Sequence, residues 1–318
     1  MNIQSCDKVE ILTLQDNYIE ITAMDNTDVI QRASLFSKDL KRAGSIFAEH
    51  GFSALVKVYD GSFAASFLFD FGFSEDGAAR NADALNADWG SIRAVVLSHG
   101  HMDHTGGLKA FSERIPGDKT AIDFVVHPMV FVQPRYLKLG PELKLDFPVF
   151  RREEVLEAGF HLVETTTPYP LLDNHALFLG EIPRLTDFEK GFPIAYRQRN
   201  GREEWDPIED DSGVVMHVKG KGLVVLTGCA HAGAVNTVHH AIRTTGIDQV
   251  YAVMGGFHLS GPLFEPIIGK TTEEMKKFDP KYIIPCHCTG RKAVMHMERE
   301  MPDKFILNMA GTKLTFAG

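Results

Sequence analysis

Residues 98–108 read SHGHMDHTGGL and carry the strongest structural signal in this chain. Directly after an apolar run at 93–97, the segment offers four potential metal ligands: His99, His101, Asp103 and His104. Side chains two positions apart in an extended chain share a face, so His99 and His101 can point into one site. A helical turn that begins at Asp103 would aim Asp103 and His104 at a neighbouring metal. Imidazole and carboxylate ligands together suit Zn, Mn or Fe.

The chain contains 14 histidines, and most of the others need no special explanation. We interpret eight of them as ordinary core or surface residues: His50, His127, His161, His175, His217, His239, His240 and His296. The cluster at 99–104 is different, because burying four such groups at a strand end without a metal would leave polar atoms without partners. The pattern therefore predicts a metal site.

Composition limits the class of protein. The 318 residues are 44% apolar and 24% charged, which is typical of a soluble globular chain of one large or two small domains. A net charge of -9 argues against a nucleic-acid partner, which would need excess Lys and Arg. The charged N-terminus is no secretory signal, and the uncharged run 222–242 is interrupted by polar residues, so no membrane span is expected. Four cysteines indicate reduced thiols, and we expect a cytoplasmic protein.

Apolar patterning predicts an α/β chain. Strands are expected at 9–14, 54–59, 63–71, 93–97, 121–127, 213–218, 222–227 and 249–254, with two short ones within 305–316. Helices are expected at 28–50, 108–114, 232–244 and 271–278. Strand-rich stretches separated by helices in both halves favour a layered α/β sandwich with one active site between the halves.

Residues 128–211 differ from the rest, being rich in Pro, Gly and charge. Only the fragments 155–165 and 175–179 are patterned as strands, so we interpret this stretch as a long lid or insertion. Its carboxylate run at 203–211 is typical of a solvated face.

The 99–104 segment matches in full the His-x-His-x-Asp-His signature of the metallo-β-lactamase superfamily, which this sequence resembles. Asp70, in the run FLFDFG, resembles the strand-end aspartate that supports the histidine loop in that superfamily. The resemblance implies an αβ/βα four-layer sandwich, with two mixed β-sheets flanked by helices. It also implies one domain over residues 1–318 with an insertion at about 128–211.

Two departures from the superfamily pattern follow. The strand 223–227 leads into Thr-Gly-Cys where the superfamily has Thr-Gly-Asp, so Cys229 stands in the place of a metal-bridging aspartate. Cys229 is either a thiolate ligand or a small buried residue, and the sequence leaves both open. The separate third histidine, expected near 209–213, is missing, and we infer that His231 supplies it.

The run IIPCHCTG at 283–290 resembles the closing strand and Pro-x-His motif of the superfamily, which makes His287 the last predicted ligand. Cys286 and Cys288 should point away from the site if His287 points in. His258, after two glycines, is a ligand, an acid or base, or part of a packing loop, and these alternatives stay open.

The segments 49–51, 227–233, 255–258 and 285–290 together resemble the family of 7,8-dihydropterin-6-methyl-4-(β-D-ribofuranosyl)aminobenzene 5'-phosphate synthase, an enzyme of methanopterin biosynthesis. That resemblance implies two divalent metal ions (Zn, Mn or Fe) and a phosphorylated or pterin-like small-molecule substrate. The first metal would bind His99, His101 and His231, and the second Asp103, His104 and His287. Asp103 would also be the catalytic proton acceptor.

Two other functions remain open. One is a general metal-dependent hydrolase of phosphodiesters, esters or lactones, and the other is an iron redox or ligand-sensing protein. For the anion of a substrate, the sequence predicts a site at the start of a helix after His287, with Arg184 in the insertion closing over it. The predicted anion-binding residues are Thr289, Gly290, Arg291, Lys292 and Arg184. The oligomeric state is not predicted.

Overall fold

The computed structural model describes residues 1–33 and 45–318. Its first sheet contains eight strands, with the four at one end parallel to one another and the rest antiparallel. In spatial order the strands are His161–Glu164, Asp123–Val126, Ile92–Val96, Phe63–Phe69, Ser53–Asp60, Lys8–Gln15, Lys313–Ala317 and Ile30–Gln31. The sheet is therefore mixed and combines the N-terminal half of the chain with its last strand.

The second sheet has seven strands and is also mixed. Six of them follow the order Tyr169–Leu171, Ala176–Phe178, Gly213–Val218, Gly222–Thr227, Val250–Gly256 and Tyr282–Cys286. The short strand Ser5–Cys6 pairs in parallel with Gly213–Val218. The last three strands of the path are parallel, so their carboxyl ends lie at the same edge.

The two sheets face each other across an apolar layer, and helices cover both outer faces. Successive side chains along a strand point to opposite faces of its sheet. Val56 and Val224 therefore lie in the central layer, while Leu55 and Val225 lie in the outer layers. The helices are Gly77–Ala84, Met102–Thr105, Leu108–Arg114, Arg152–Glu157, Ala234–Thr245, Ile268–Phe278 and Arg291–Glu300. This confirms the four-layer αβ/βα sandwich with two mixed sheets.

The insertion contains more regular structure than its sequence indicates. A small antiparallel sheet runs in the order Arg202–Trp205, Ala195–Arg199, Arg135–Lys138 and Lys144–Asp146. The strand predicted at 155–165 is wrong in its first half, because Arg152–Glu157 is a helix whose first turn is closed by Glu154. Gly159, at φ 90°, then turns the chain into the strand His161–Glu164.

Two other predicted elements differ. The segment 305–316 contains one strand, Lys313–Ala317, and a single bridge between Phe305 and Ile283 rather than two strands. The helix predicted at 28–50 falls partly on residues 34–44, which lie outside the described part of the chain. On either side of that gap, Ile30–Gln31 is a strand and residues 45–50 are not helical.

Across residues 1–33 and 45–318, no helix is both long enough and apolar enough to cross a membrane. The predicted site residues follow directly after strands of both sheets. The relevant strands end at Phe69 and Val96 in the first sheet and at Thr227, Gly256 and Cys286 in the second. The predicted site therefore lies at the carboxyl ends of these strands.

Candidate metal centre

Asp70 ties the histidine loop to the end of the preceding strand. It adopts a left-handed backbone conformation (φ 58°), and its Oδ1 accepts a hydrogen bond from the backbone N–H of Ser98 at 2.7 Å. Its Oδ2 accepts from the Ser98 hydroxyl at 2.7 Å and from Nδ1 of His104 at 2.6 Å. One fully buried carboxylate therefore fixes both ends of the segment 98–104.

The same contacts determine which ring nitrogens carry protons. Because Asp70 only accepts, Nδ1 of His104 must carry a proton, so Nε2 is the nitrogen that presents a lone pair when the ring is neutral. The Ser98 hydroxyl donates to Asp70 and so accepts from Nδ1 of His99 at 3.0 Å. Nε2 of His99 is then also a lone-pair donor. This arrangement of carboxylate, histidine and open nitrogen is typical of metal ligands.

Three buried histidines form one half of the centre. The ring centroids of His99 and His101 are 4.6 Å apart, and each lies within 5 Å of the His231 ring, at 4.9 Å and 4.8 Å. Nε2 of each ring is buried without a hydrogen-bond partner. Burial lowers the pKa of all three, that of His101 to about 3, so the rings are neutral. Three neutral, unpartnered imidazoles fit a divalent cation.

The other half contains Asp103, His104, His287 and Cys229. Oδ2 of Asp103 lies 3.2 Å from Nε2 of His287 and 3.7 Å from Nε2 of His104. The Cys229 sulfur lies 3.1 Å from Nε2 of His104 and 3.3 Å from Nε2 of His287. Asn17 Oδ1 accepts from Nδ1 of His287 at 3.1 Å, so that ring also presents a lone pair on Nε2. Four potential ligand atoms therefore converge at one place.

Electrostatics favours a cation at this point. Burial lowers the pKa of His104, but Asp103 and Asp70 outweigh it and raise that pKa to about 9. Burial raises the pKa of Asp103, yet His104 and His287 hold it well below its ordinary value. The carboxylate is therefore ionised and draws positive charge into a buried site, as a metal ion would supply.

Cys229 lies between the two halves. Its sulfur belongs to a group of potential ligands with His99 and His231 and to another with Asp103, His104 and His287. Within each group the ligand atoms lie within 4.8 Å of one another. Burial raises the pKa of the thiol well above its ordinary value, so a neutral Cys229 needs a metal ion to become a thiolate.

Comparisons with known proteins agree with this geometry. A family model described as the metallo-beta-lactamase superfamily matches residues 53–287. The chain belongs to the metallo-β-lactamase superfamily. It is 31% identical over 324 aligned residues to 7,8-dihydropterin-6-methyl-4-(beta-D-ribofuranosyl)-aminobenzene-5'-phosphate synthase of Methanocaldococcus jannaschii, and the alignment covers 99% of each chain.

Solved structures give the same assignment. The crystal structure of Tm1679, a metal-dependent hydrolase of the β-lactamase superfamily, is 26% identical to this chain and has a TM-score of 0.72. That match covers 98% of this chain and 100% of Tm1679. A diphosphatase of the PhnP family shares the fold at 13% identity and a TM-score of 0.51, with 97% of each chain covered.

The carboxylate run at 203–211, predicted to be solvated, is instead buried at three positions: Asp206, Asp210 and Asp211. Asp210 accepts from the backbone N–H of Gly100 at 2.8 Å and pairs with Arg135, while Asp211 accepts from that of Ala232 at 2.9 Å. In the stretch where the superfamily has its third histidine, this chain therefore uses two aspartates to hold two ligand loops. The one sign of this role in the sequence is that the histidine expected near 209–213 is missing.

The surroundings of His287 correct one prediction. Cys286 lies in the apolar layer between the sheets, away from the donor atoms as predicted. Cys288 does not point away, because it forms a possible ligand group with Cys229 and His258 and lines the cleft. The simple alternation of a strand fails because residues 287–289 form a short helical turn, and His287 itself has a φ of 49°.

A cleft of 350 Å³ opens over the donor atoms. His50, which the sequence predicts to be an ordinary residue, lines this cleft. Nε2 of His50 lies 3.2 Å from Oδ2 of Asp103, and that contact raises the pKa of His50. The resemblance around 49–51 was the only sequence signal for this residue. Asn17, whose amide holds His287, also lines the cleft and was missed.

The predicted anion-binding residues are largely engaged elsewhere. Gly290 lines the cleft, whereas Thr289 accepts from the backbone N–H of Phe257 at 2.9 Å. Lys292 pairs with Glu265 on the surface, and Arg291 is exposed. Arg184 donates to the backbone carbonyls of His231 and Pro207. The structure therefore brings one of the five to the cleft.

Proposed function

We propose that this protein is a dinuclear-metal-dependent enzyme that joins a dihydropterin diphosphate to 4-(β-D-ribofuranosyl)aminobenzene 5'-phosphate. The observation that carries the proposal is the 31% identity to the synthase over 99% of both chains. Two adjacent groups of neutral or anionic donor atoms support it, because a diphosphate leaving group needs positive charge.

We assign one metal ion to His99, His101 and His231 and the other to Asp103, His104 and His287. When bound, divalent ions supply electrostatic stabilisation to a departing diphosphate. The reaction forms a bond between the aminobenzene nitrogen and the pterin methylene carbon and breaks the carbon–oxygen bond to diphosphate. The nitrogen then loses a proton, which needs an acceptor.

The carboxylate of Asp103 is the proposed acceptor for that proton. Its low pKa keeps it ionised, and Nε2 of His50 lies 3.2 Å away. The His50 side chain is 59% exposed, so it can exchange the proton with solvent. Asp103 and His50 would thus form a path for the proton from the cleft to solvent.

Turnover of the two substrates tests the proposal. The metal-loaded protein should release pyrophosphate and form the coupled pterin product, both of which mass spectrometry and a phosphate assay can follow. His101→Ala should lose bound metal and activity together. The matched control is His296→Ala, a histidine outside both donor groups, which should retain both. No pyrophosphate release by the wild type would remove the synthase assignment.

A general metal-dependent hydrolase is the second candidate, favoured by the likeness to Tm1679 over the whole chain. This candidate predicts release of nitrophenol from a simple nitrophenyl phosphodiester, or of pyrophosphate from the dihydropterin diphosphate by water, without any need for the aminobenzene substrate. Assays with each substrate alone distinguish the two functions.

A further inference from the structure

A second cavity lies beside the metal centre. It measures 460 Å³, and its walls are formed largely by aromatic and aliphatic side chains: Phe188, Trp205, Phe257, Leu263, Phe264 and Ile267. We call it the aromatic pocket. Its volume lies within the range of about 300–1,000 Å³ that is usual for small-molecule sites.

The insertion builds one wall of this pocket and is anchored by a buried carboxylate. Glu189 is only 6% exposed, and its oxygens accept the backbone N–H groups of Val235 and Asn236, each at 2.9 Å. These N–H groups belong to the first turn of the helix Ala234–Thr245, which follows His231. A carboxylate from the insertion therefore fixes segment 188–193 against the metal-binding half of the molecule.

The aromatic pocket and the cleft meet at two histidines. His231 and His258 line both cavities, and their ring centroids are 4.1 Å apart. Phe192 lies at the same border, with its ring stacked over His231 at 6.1 Å and set against Phe264 at 5.1 Å. Nδ1 of His258 is buried there without a hydrogen-bond partner.

We propose that the aromatic pocket binds the dihydropterin ring of the substrate, which rests on the function proposed above. A flat bicyclic ring stacks on aromatic side chains, and its N5 nitrogen, next to the carbon that carries the methylene, offers a partner to Nδ1 of His258. The ring and the diphosphate lie on opposite sides of the reacting methylene. With the ring in the pocket, the methylene lies at the His231–His258 border and the diphosphate lies over the metal ligands.

The position of the second substrate follows from this placement. The aminobenzene nitrogen reaches the methylene from the open cleft, whose lining includes Asn17 and His50. Its ribose and phosphate are hydrophilic and suit the cleft better than an aromatic wall. The insertion supplies one wall of the proposed pterin site, with Phe188 and Trp205, and residues 257–267 supply the other.

Filling the pocket tests the inference. Leu263 is 48% exposed and lines the pocket, so Leu263→Trp should occupy it without disturbing the core. The probe is 6-hydroxymethyl-7,8-dihydropterin, which lacks the diphosphate and cannot react. Calorimetry should show its affinity reduced by about tenfold or more, with a similar rise in KM for the dihydropterin diphosphate. The KM for the aminobenzene substrate should stay within about twofold of the wild type.

Leu156→Trp is the matched control, because Leu156 is an exposed leucine of the insertion that lines neither cavity. It should behave as the wild type does. Probe binding by Leu263→Trp at wild-type affinity would overturn the inference, and so would a rise in KM confined to the aminobenzene substrate. If the wild type forms product and Leu263→Trp is unaffected, only the assignment of the pocket is wrong. If Leu263→Trp loses probe binding but the wild type forms no product, only the proposed reaction is wrong.

Discussion

At the scale of single residues, the site is organised by a few buried acceptors. Asp70 fixes the proton on His104 directly and that on His99 through the Ser98 hydroxyl. The signature segment therefore gains its metal-binding geometry from a residue 28 positions away from Ser98. Sequence reasoning identified Asp70 because it follows a strand in the expected order.

Asp70→Asn tests this role. An amide cannot accept at both positions, so the variant must lose the bond to Ser98 or to His104. We expect metal affinity to fall about 10- to 100-fold while the protein remains folded. Competition with a chromophoric chelator measures the affinity, and circular dichroism checks the fold. Unchanged affinity in a folded variant would contradict the role.

Cys229 is the residue whose role the sequence left open. Its sulfur lies close to donors of both groups, so we expect it to ligate metal as a thiolate. With Co²⁺ bound, the wild type should show a near-ultraviolet sulfur-to-cobalt band that Cys229→Ser lacks. Cys6→Ser, which alters a buried thiol in the short strand at the other end of the sheet, should retain it. A band lost in Cys288→Ser instead would assign the thiolate to Cys288.

Among the elements of the fold, most strands of the two halves could be predicted, whereas most of the insertion could not. Strands such as Gly222–Thr227 are continuous apolar runs buried on both faces, and their pattern is visible locally. The insertion instead depends on long-range polar pairs, such as Arg135 with Asp210, 75 residues apart. Burial of a carboxylate by a distant arginine leaves no periodic trace in the sequence.

Asp210→Asn tests the importance of that buried pair. Removing Asp210 leaves buried Arg135 with Asp206 as its remaining carboxylate partner, so its charge is only partly compensated and we expect a loss of up to about 3 kcal/mol in the free energy of unfolding. Glu203→Gln changes an exposed acid of the same run, and its denaturation midpoint should match that of the wild type. Urea denaturation of both variants provides the comparison. An Asp210→Asn variant as stable as the wild type would mean that the run is solvated after all.

Glu189 gives a prediction of pH dependence for the element it anchors. Burial raises its pKa to about 7 from an ordinary value of 4.5, so the folded state binds a proton that the unfolded chain releases. The resulting stabilisation is complete below about pH 4.5 and is lost as the pH rises through about 7. The free energy of unfolding of the wild type, relative to Glu189→Gln, should therefore fall by on the order of 3 kcal/mol across that window. A difference that is constant with pH would contradict the assignment.

At the scale of the whole molecule, the fold explains why ligands from distant positions meet. Both sheets end their parallel strands at one edge, and residues 70, 99–104, 229–231 and 287 all follow those ends. The superfamily signature predicts that the site lies at this edge. It does not predict that His50 and Cys288 line the cleft, because both lie in loops that lack the alternation of a strand. Not all of the acidic residues behind the net charge of -9 lie at the surface, because four carboxylates of the insertion are buried: Glu189, Asp206, Asp210 and Asp211.

We propose that two divalent ions bind in adjacent groups of ligands with Cys229 between them. A crystal structure with the metals identified by anomalous scattering would show whether they do. We expect two metal positions, one bound by His99, His101 and His231 and the other by Asp103, His104 and His287. A single metal position, or a metal pair that His231 does not contact, would contradict it.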